Sequence, residues 1–144
     1  MDYYADSSFL VSCYIVDANT AQAKAWLTRT GARITLTGLH ALEVGNAFRL
    51  GVFRGLFSPA DAAAAWANVE CDLRAGRLTK RPVNWPLAFR VGARLSKAYS
   101  TTTGTRSLDV LHVAIAKTLR ANELVSFDLR QRALASAIGF AVTP

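Results

Sequence analysis

A chain of 144 residues is near the commonest size for a single domain, and with 51% hydrophobic against 19% charged residues it can bury a substantial core, which excludes an intrinsically disordered chain. Seventeen Lys and Arg against ten Asp and Glu leave a formal charge of +7; such an excess favours polyanionic partners such as nucleic acid, although charge alone is equally compatible with simple solubility. The apolar runs are too short to span a bilayer, and Asp2 and Asp6 stand where a secretory leader wants basic residues, so a soluble cytoplasmic protein with no membrane partner is expected. Cys13 and Cys71 lack metal-type spacing and sit in apolar helical patterns, which predicts reduced, buried thiols.

In chain order, "YYA" (3–5) reads as a short strand followed at once by a helix, "SSFLVSCYIV". An Ala-rich helix covers 18–31 and closes on Gly31. "RITLTG" (33–38) has the β-branched content of a strand, and 39–55 reads as a long helix. Ser58, Pro59 and Asp61 combine an N-cap, a first-turn proline and an acid at the third helical position, and so launch a helix that ends at Gly76. "LTKRPV" (78–83) predicts a strand, 84–100 a helix, and "TTTGTR" (101–106) a polar loop. A helix then begins near Ser107, an expected N-cap, followed by a strand at 123–127, a helix at 129–139 and a closing strand, "FAVTP". Strands alternating with helices imply an α/β fold, a small, mostly parallel sheet of about five strands covered by helices, in one domain spanning 1–144. No repeat or linker divides the chain.

Four acids sit in apolar surroundings. Asp6 and Asp128 each follow a strand and precede a helix, where Asp is also a natural N-cap. Asp109 comes early in its helix, where an acid complements the helix dipole. Glu43 is harder to account for, because Leu39, Ala47 and Leu50 share its helical stripe and an unpaired interior carboxylate is costly; Asn46 is its polar neighbour. Asp6 and Asp128 lie just beyond strand carboxyl ends, where open α/β sheets place ligands. Four acids converging there would repel one another unless a cation neutralised them, and oxygen donors without a His or Cys cluster suit Mg²⁺ or Mn²⁺.

The segments "YYADSSFLVS", "ALEVGNAF", "SLDVLHVAIA" and "LVSFDLRQRALASAIG" occur in the order and spacing of the PIN-domain nucleases, and the chain resembles the VapC-type toxins of prokaryotic toxin–antitoxin pairs over essentially its full length. Asp6, Glu43, Asp109 and Asp128 match the acidic quartet of that family. The resemblance implies a three-layer α/β/α fold and a metal-dependent endoribonuclease with RNA as substrate, held inactive by a cognate antitoxin and commonly homodimeric. It also implies Mg²⁺, or Mn²⁺, held by Asp6, Asp109 and Asp128 with Glu43 bound directly or through water, a metal-activated water as nucleophile, and products with 5′-phosphate and 3′-hydroxyl ends. The alternative is a non-catalytic RNA- or partner-binding module on the same scaffold. A phosphoacceptor domain would show paired acids after the first strand, and a dinucleotide-binding domain a G-x-G-x-x-G; neither is present.

Around the quartet, Ser7 and Ser8 can orient a ligand or meet a phosphate, or simply occupy a first helical turn. His112, three residues after Asp109, is either a donor to the acids or a structural core histidine. Arg106, Arg130 and Arg132 flank acidic positions and are candidates for the RNA backbone against ordinary solvated arginines. Trp26, Trp66 and Trp85 read as core, His40 has no evident partner, and "FRLGVFRGLF" (48–57) offers apolar side chains that, where exposed, would suit an antitoxin helix.

Overall fold

Strands of three or four residues cannot hold a sheet together unless both faces are covered, and among the described residues seven helices cover them. The computed structural model describes residues 2–144. Its elements run β1 (Asp2–Ala5), α1 (Ser7–Tyr14), α2 (Thr20–Thr30), β2 (Arg33–Leu36), α3 (Gly38–Phe53), α4 (Pro59–Arg74), β3 (Leu78–Lys80), α5 (Trp85–Thr103), α6 (Ser107–Thr118), β4 (Glu123–Val125), α7 (Leu129–Ala137) and β5 (Ala141–Thr143). The sheet has the order β3-β2-β1-β4-β5 and every described pairing is parallel. The chain leaves β1 toward β2 and β3, then returns to place β4 and β5 on the other side. The strand order therefore reverses between β1 and β4, and the crevice beyond their carboxyl ends is where such sheets bind ligands.

Alternation along the strands assigns the two cores. Tyr4 and Leu124 face α5, α6 and α7, packing with Leu95, Val110, Ile115 and Leu134; Ala5 and Val125 face α1 to α4, packing with Phe9, Trp26, Val44, Phe48 and Val69. The three-layer architecture follows from these two apolar faces.

Local chemistry sets the ends of the helices. Ser58 and Asp61 form a reciprocal capping box before α4, with Pro59 at the first position. Gly31 ends α2 and Gly104 ends α5, each in the left-handed region, with φ of 59° and 64°. Gly104 corrects one expectation. Thr101, Thr102 and Thr103 are helical rather than loop, because α5 runs on until a residue that tolerates positive φ appears, and the loop shrinks to Gly104, Thr105 and Arg106. The N-cap of α6 is Arg106, with Ser107 already in the first turn.

Burial corrects others. Cys71 is exposed and Cys13 only half-buried, since α4 and α1 turn those positions toward the rim of the core. Trp26 is core at 1% exposure, but Trp66 is half-buried and Trp85 is 37% exposed. Among the described residues no helix is long and apolar enough to cross a membrane. Trp26 makes edge-on contacts with both Tyr3 and Phe9 (ring centroids 5.2 and 5.5 Å), tying α2 to β1 and α1. Trp26→Ala should therefore cost about 3–5 kcal/mol of stability, read from urea unfolding; a loss below about 1 kcal/mol would mean this core does not depend on the indole.

Candidate active site

β1 delivers Asp6 to the crevice. Extended backbone (φ −75°, ψ 166°) makes it the N-cap of α1, its Oδ1 accepting from the Phe9 backbone N–H at 2.7 Å. The Asp6 amide donates to the Val125 carbonyl at 2.9 Å, which locks the end of β1 against β4. Asp6 Oδ2 accepts from the Ser126 hydroxyl at 2.6 Å, and the same Ser126 oxygen accepts from the Asp128 backbone N–H at 3.0 Å. One buried serine thus bridges the two strand-end aspartates. Asp128 caps α7, its Oδ1 accepting from the Gln131 N–H at 2.8 Å. For both aspartates the capping role and the crevice position coincide, because each caps the helix that follows its strand, Asp6 directly after β1 and Asp128 three residues after the end of β4, which stops at Val125 and not at Phe127.

Asp6 is 4% exposed. Burial pushes its carboxyl above the usual range, against the pull of the hydrogen bonds from Ser126 and Phe9, the charge of His112 and the Ser8 hydroxyl.

α6 and α3 supply the other two acids. Asp109 sits at the third position of α6, its Oδ2 3.0 Å from the Arg106 guanidinium, and its backbone carbonyl accepts from Gln131 Nε2 at 3.4 Å. Gln131 therefore reaches Asp128 through its backbone and the start of α6 through its side chain, and its Oε1 is buried with no partner. Glu43 does not lie on a core stripe as its sequence neighbours suggest. The buried side of α3 is His40, Val44, Phe48 and Gly51, so Leu50 and Asn46 are exposed and Glu43 sits at the boundary.

Glu43 Oε1 accepts from the Ser7 hydroxyl at 2.9 Å and pairs with His112 Nε2 at 2.6 Å. On the other side of the ring, His112 Nδ1 meets the Tyr4 hydroxyl at 2.8 Å. Half-burial would raise the Glu43 carboxyl, but the His112 hydrogen bond and charge, with Ser7, hold it below the usual range.

The crevice therefore collects Asp6, Ser7, Glu43, Asp109, His112 and Asp128 from five elements, and sequence reasoning missed Ser126, Gln131, Tyr4 and His40, whose partners lie 22 to 120 residues away or in an unusual cap. Among the described residues no three His, Cys, Asp or Glu side chains stand close enough together to hold a metal ion as they are placed. The acids are linked through Ser126, Ser7 and Gln131 rather than crowded on one point. Oxygen donors of this type suit a hard divalent cation.

Ser8, Arg106 and Arg130 are exposed at the rim, as is Asn46. Arg132 donates from Nη1 to the Ser126 and Pro144 carbonyls at 2.8 and 2.7 Å, so that end of its guanidinium braces the segment that carries Ser126.

His40 closes the floor. At the third position of α3 its Nδ1 accepts from the Thr37 N–H at 3.0 Å, completing a capping box, and Nε2 donates to the Ala5 carbonyl at 2.7 Å. The bond that Nδ1 accepts requires a neutral imidazole, because a protonated Nδ1 has no lone pair to offer. Burial, then the charge of His112, drives its pKa from 6.5 to about 3. An unfolded chain binds a proton near pH 6.5 that the folded chain refuses until about pH 3. The unfolded state thus holds more protons in that window, and stability falls as pH is lowered through it, with a slope of up to about 1.4 kcal/mol per pH unit. Asp6, raised in the folded chain, works in the opposite direction just above the normal carboxylate range. Urea midpoints of the native chain and His40→Asn between pH 4 and 7 isolate the histidine. The variant is expected to be less stable at pH 7 and to lose less on acidification; equal slopes would contradict a neutral His40.

Neither the family models nor the curated proteins give a match to this sequence. Among solved structures, FitAcB from Neisseria gonorrhoeae matches in fold with a TM-score of 0.69 and 18% identity, covering 99% of this chain and 96% of that chain. The likeness establishes the fold: α/β, PIN-like, with a five-stranded parallel sheet.

Proposed function

We propose that this chain is a Mg²⁺- or Mn²⁺-dependent endoribonuclease and the toxin of a toxin–antitoxin pair. The observation that carries the reading is a buried Asp6 carboxylate, joined to Asp128 through Ser126 at the point where the strand order reverses, with Glu43 and Asp109 reaching the same crevice, in a chain of net charge +7. A carboxylate held at 4% exposure, with hydrogen-bond donors but no ion pair, is an energetic cost that a bound cation removes. The fold shared with FitAcB and the motif resemblance to VapC-type PIN nucleases support the same reading.

The residues fit the cation by donor type. Asp6, Asp109 and Asp128 would hold it, with Glu43 binding directly or through water. A divalent ion bound there lowers the pKa of its water and polarises the phosphoryl group. The chain does the rest. Ser126 ties the Asp6 carboxyl group to the Asp128 backbone, and Tyr4 and His112 align Glu43. Arg106 and Arg130 at the rim are placed to meet phosphates of the RNA strand.

For the antitoxin, α3 and α4 bound a groove of about 410 Å³ lined by Phe48, Val52, Ala62 and Trp66. At its end Phe53 and Leu56 are 87% and 71% exposed, an apolar surface suited to an amphipathic partner helix. A homodimer is part of the same proposal.

The test is cleavage of mixed cellular RNA by antitoxin-free protein with Mg²⁺ or Mn²⁺, against EDTA and against Asp6→Asn. Discrete cuts leaving 5′-phosphate ends are expected, reduced at least about 100-fold in the variant and abolished by EDTA. Persistent cutting in EDTA, or 2′,3′-cyclic phosphate products, would refute the metal mechanism. Binding of RNA without any cleavage would favour the non-catalytic module.

A further inference from the structure

The ten acids are unevenly spread. None falls between Asp72 and Asp109, a stretch of 36 residues that carries Arg74, Arg77, Lys80, Arg81, Arg90, Arg94, Lys97 and Arg106. At its centre α5 has three cations and no acid in 19 residues. Arg90, Arg94 and Lys97 are spaced i, i+4, i+7, so they form one stripe. Ala88, Gly92 and Leu95 are buried on the opposite side of the helix, which turns the stripe to solvent. A solvated helix face ordinarily mixes signs, as α4 does with Asp61, Glu70 and Arg74. Here like charges one turn apart repel, and among the described residues none of the three side chains has an ion pair or hydrogen bond. The folded chain tolerates a local cost that a polyanion would remove.

Both ends of α5 adjoin the candidate site. Trp85 at its start packs on Gly38, the first residue of the helix that carries Glu43, an added Cβ there standing 3.9 Å from the indole. Gly104 at its end lies under the Arg130 side chain, at 3.8 Å by the same measure, two residues from the Arg106–Asp109 pair. From Arg90 to Gly104 is about 21 Å along the helix, the reach of several nucleotides. Trp85 and Phe89, 37% and 61% exposed with ring centroids 6.3 Å apart, lie in the first two turns of the same helix, offset around its axis from the stripe. Exposed aromatic faces on the same helix as unpaired cations match single-stranded nucleic acid, which offers bases to stack and phosphates to pair; an acidic peptide would use the cations alone.

We infer that Arg90, Arg94 and Lys97 on α5 form a track for the phosphate backbone of single-stranded RNA, with Trp85 and Phe89 as stacking faces, leading the strand to the carboxylates at the sheet edge. As an account of substrate delivery it rests on the nuclease reading, but binding can be measured without cleavage.

The experiment is fluorescence anisotropy of a labelled 20-nucleotide single-stranded RNA in EDTA, titrated from 50 to 300 mM KCl. It compares the native chain, R90Q/R94Q/K97Q, the single variant R94E, and K24Q/R29Q/R33Q, which removes the same charge from exposed positions elsewhere. The stripe variant should lower the slope of log K against log salt by about 2, at roughly 0.7 per phosphate contact. R94E should also weaken binding, while the control triple should match the native chain. Where the native chain cleaves RNA, the stripe variant should raise KM for long RNA with kcat unchanged.

An unchanged slope, or an equal loss in the control triple, overturns the track. Displacement of the RNA by polyglutamate as readily as by unlabelled RNA also overturns it, in favour of an acidic protein partner. The two readings fail separately. RNA binding through the stripe without cleavage by the native chain removes the nuclease and keeps the track; metal-dependent cleavage with an unchanged salt slope does the reverse.

Discussion

The Asp6 carboxylate is buried at the end of β1, and much of the carboxyl edge of the sheet is arranged around keeping it there. Its two oxygens take hydrogen bonds from the Phe9 amide and the Ser126 hydroxyl, and its own amide reaches across to Val125. Those three bonds join the start of α1, the end of β4 and, through the Ser126 oxygen, the start of α7. A carboxylate in such surroundings is tolerated only when its hydrogen bonds are satisfied. Burial still lifts its pKa, so the bonds offset the desolvation only in part. The remaining deficit is the cost that the proposed cation would relieve.

Beside it, Tyr4, His40 and His112 form a polar cluster inside otherwise apolar layers, with ring centroids 4.8 to 5.8 Å apart. The two histidines do different work. His40 donates to a backbone carbonyl and accepts at a helix cap, the second of which only the neutral ring can do, and burial keeps it neutral. His112 faces a carboxylate and a phenol and fixes the direction in which Glu43 points. Burial raises the Tyr4 hydroxyl well above its usual pKa, which keeps it protonated as a partner for the imidazole. The cluster ties the position of α3 to that of α6, and hence Glu43 to Asp109, although the two acids share no bond.

The distribution of charge complements this interior. Acids are concentrated in the crevice and on α4, whereas α5 and its flanks are purely basic. A negatively charged pocket bordered by a positive helix can hold a cation and a polyanion close together without either being repelled by the whole surface. At α6 the two signs meet directly, Arg106 pairing with Asp109 at an exposed position where solvent screens the attraction.

Helix ends and strand positions were legible in the sequence because each depends on a few neighbouring residues: Ser58 with Pro59 and Asp61, Gly31 after an Ala-rich run, Asp6 and Asp128 between a strand and a helix. The four acids stood out for the same reason, as charges set in apolar segments. Where local signals competed, the outcome differed. Three threonines resembled a loop until Gly104 proved to be the true terminator, and of the two leucines on Glu43's stripe Leu39 is core whereas Leu50 is exposed. What only the tertiary structure decided was the strand order that sets β1 beside β4, the serine that bridges Asp6 and Asp128 from 120 residues away, and the pairing of Glu43 with His112 across 69. It also decided which tryptophan and which cysteine stay exposed. Local propensity is written in adjacent residues, but a hydrogen bond between distant segments exists only once two hydrophobic faces have packed and brought them together.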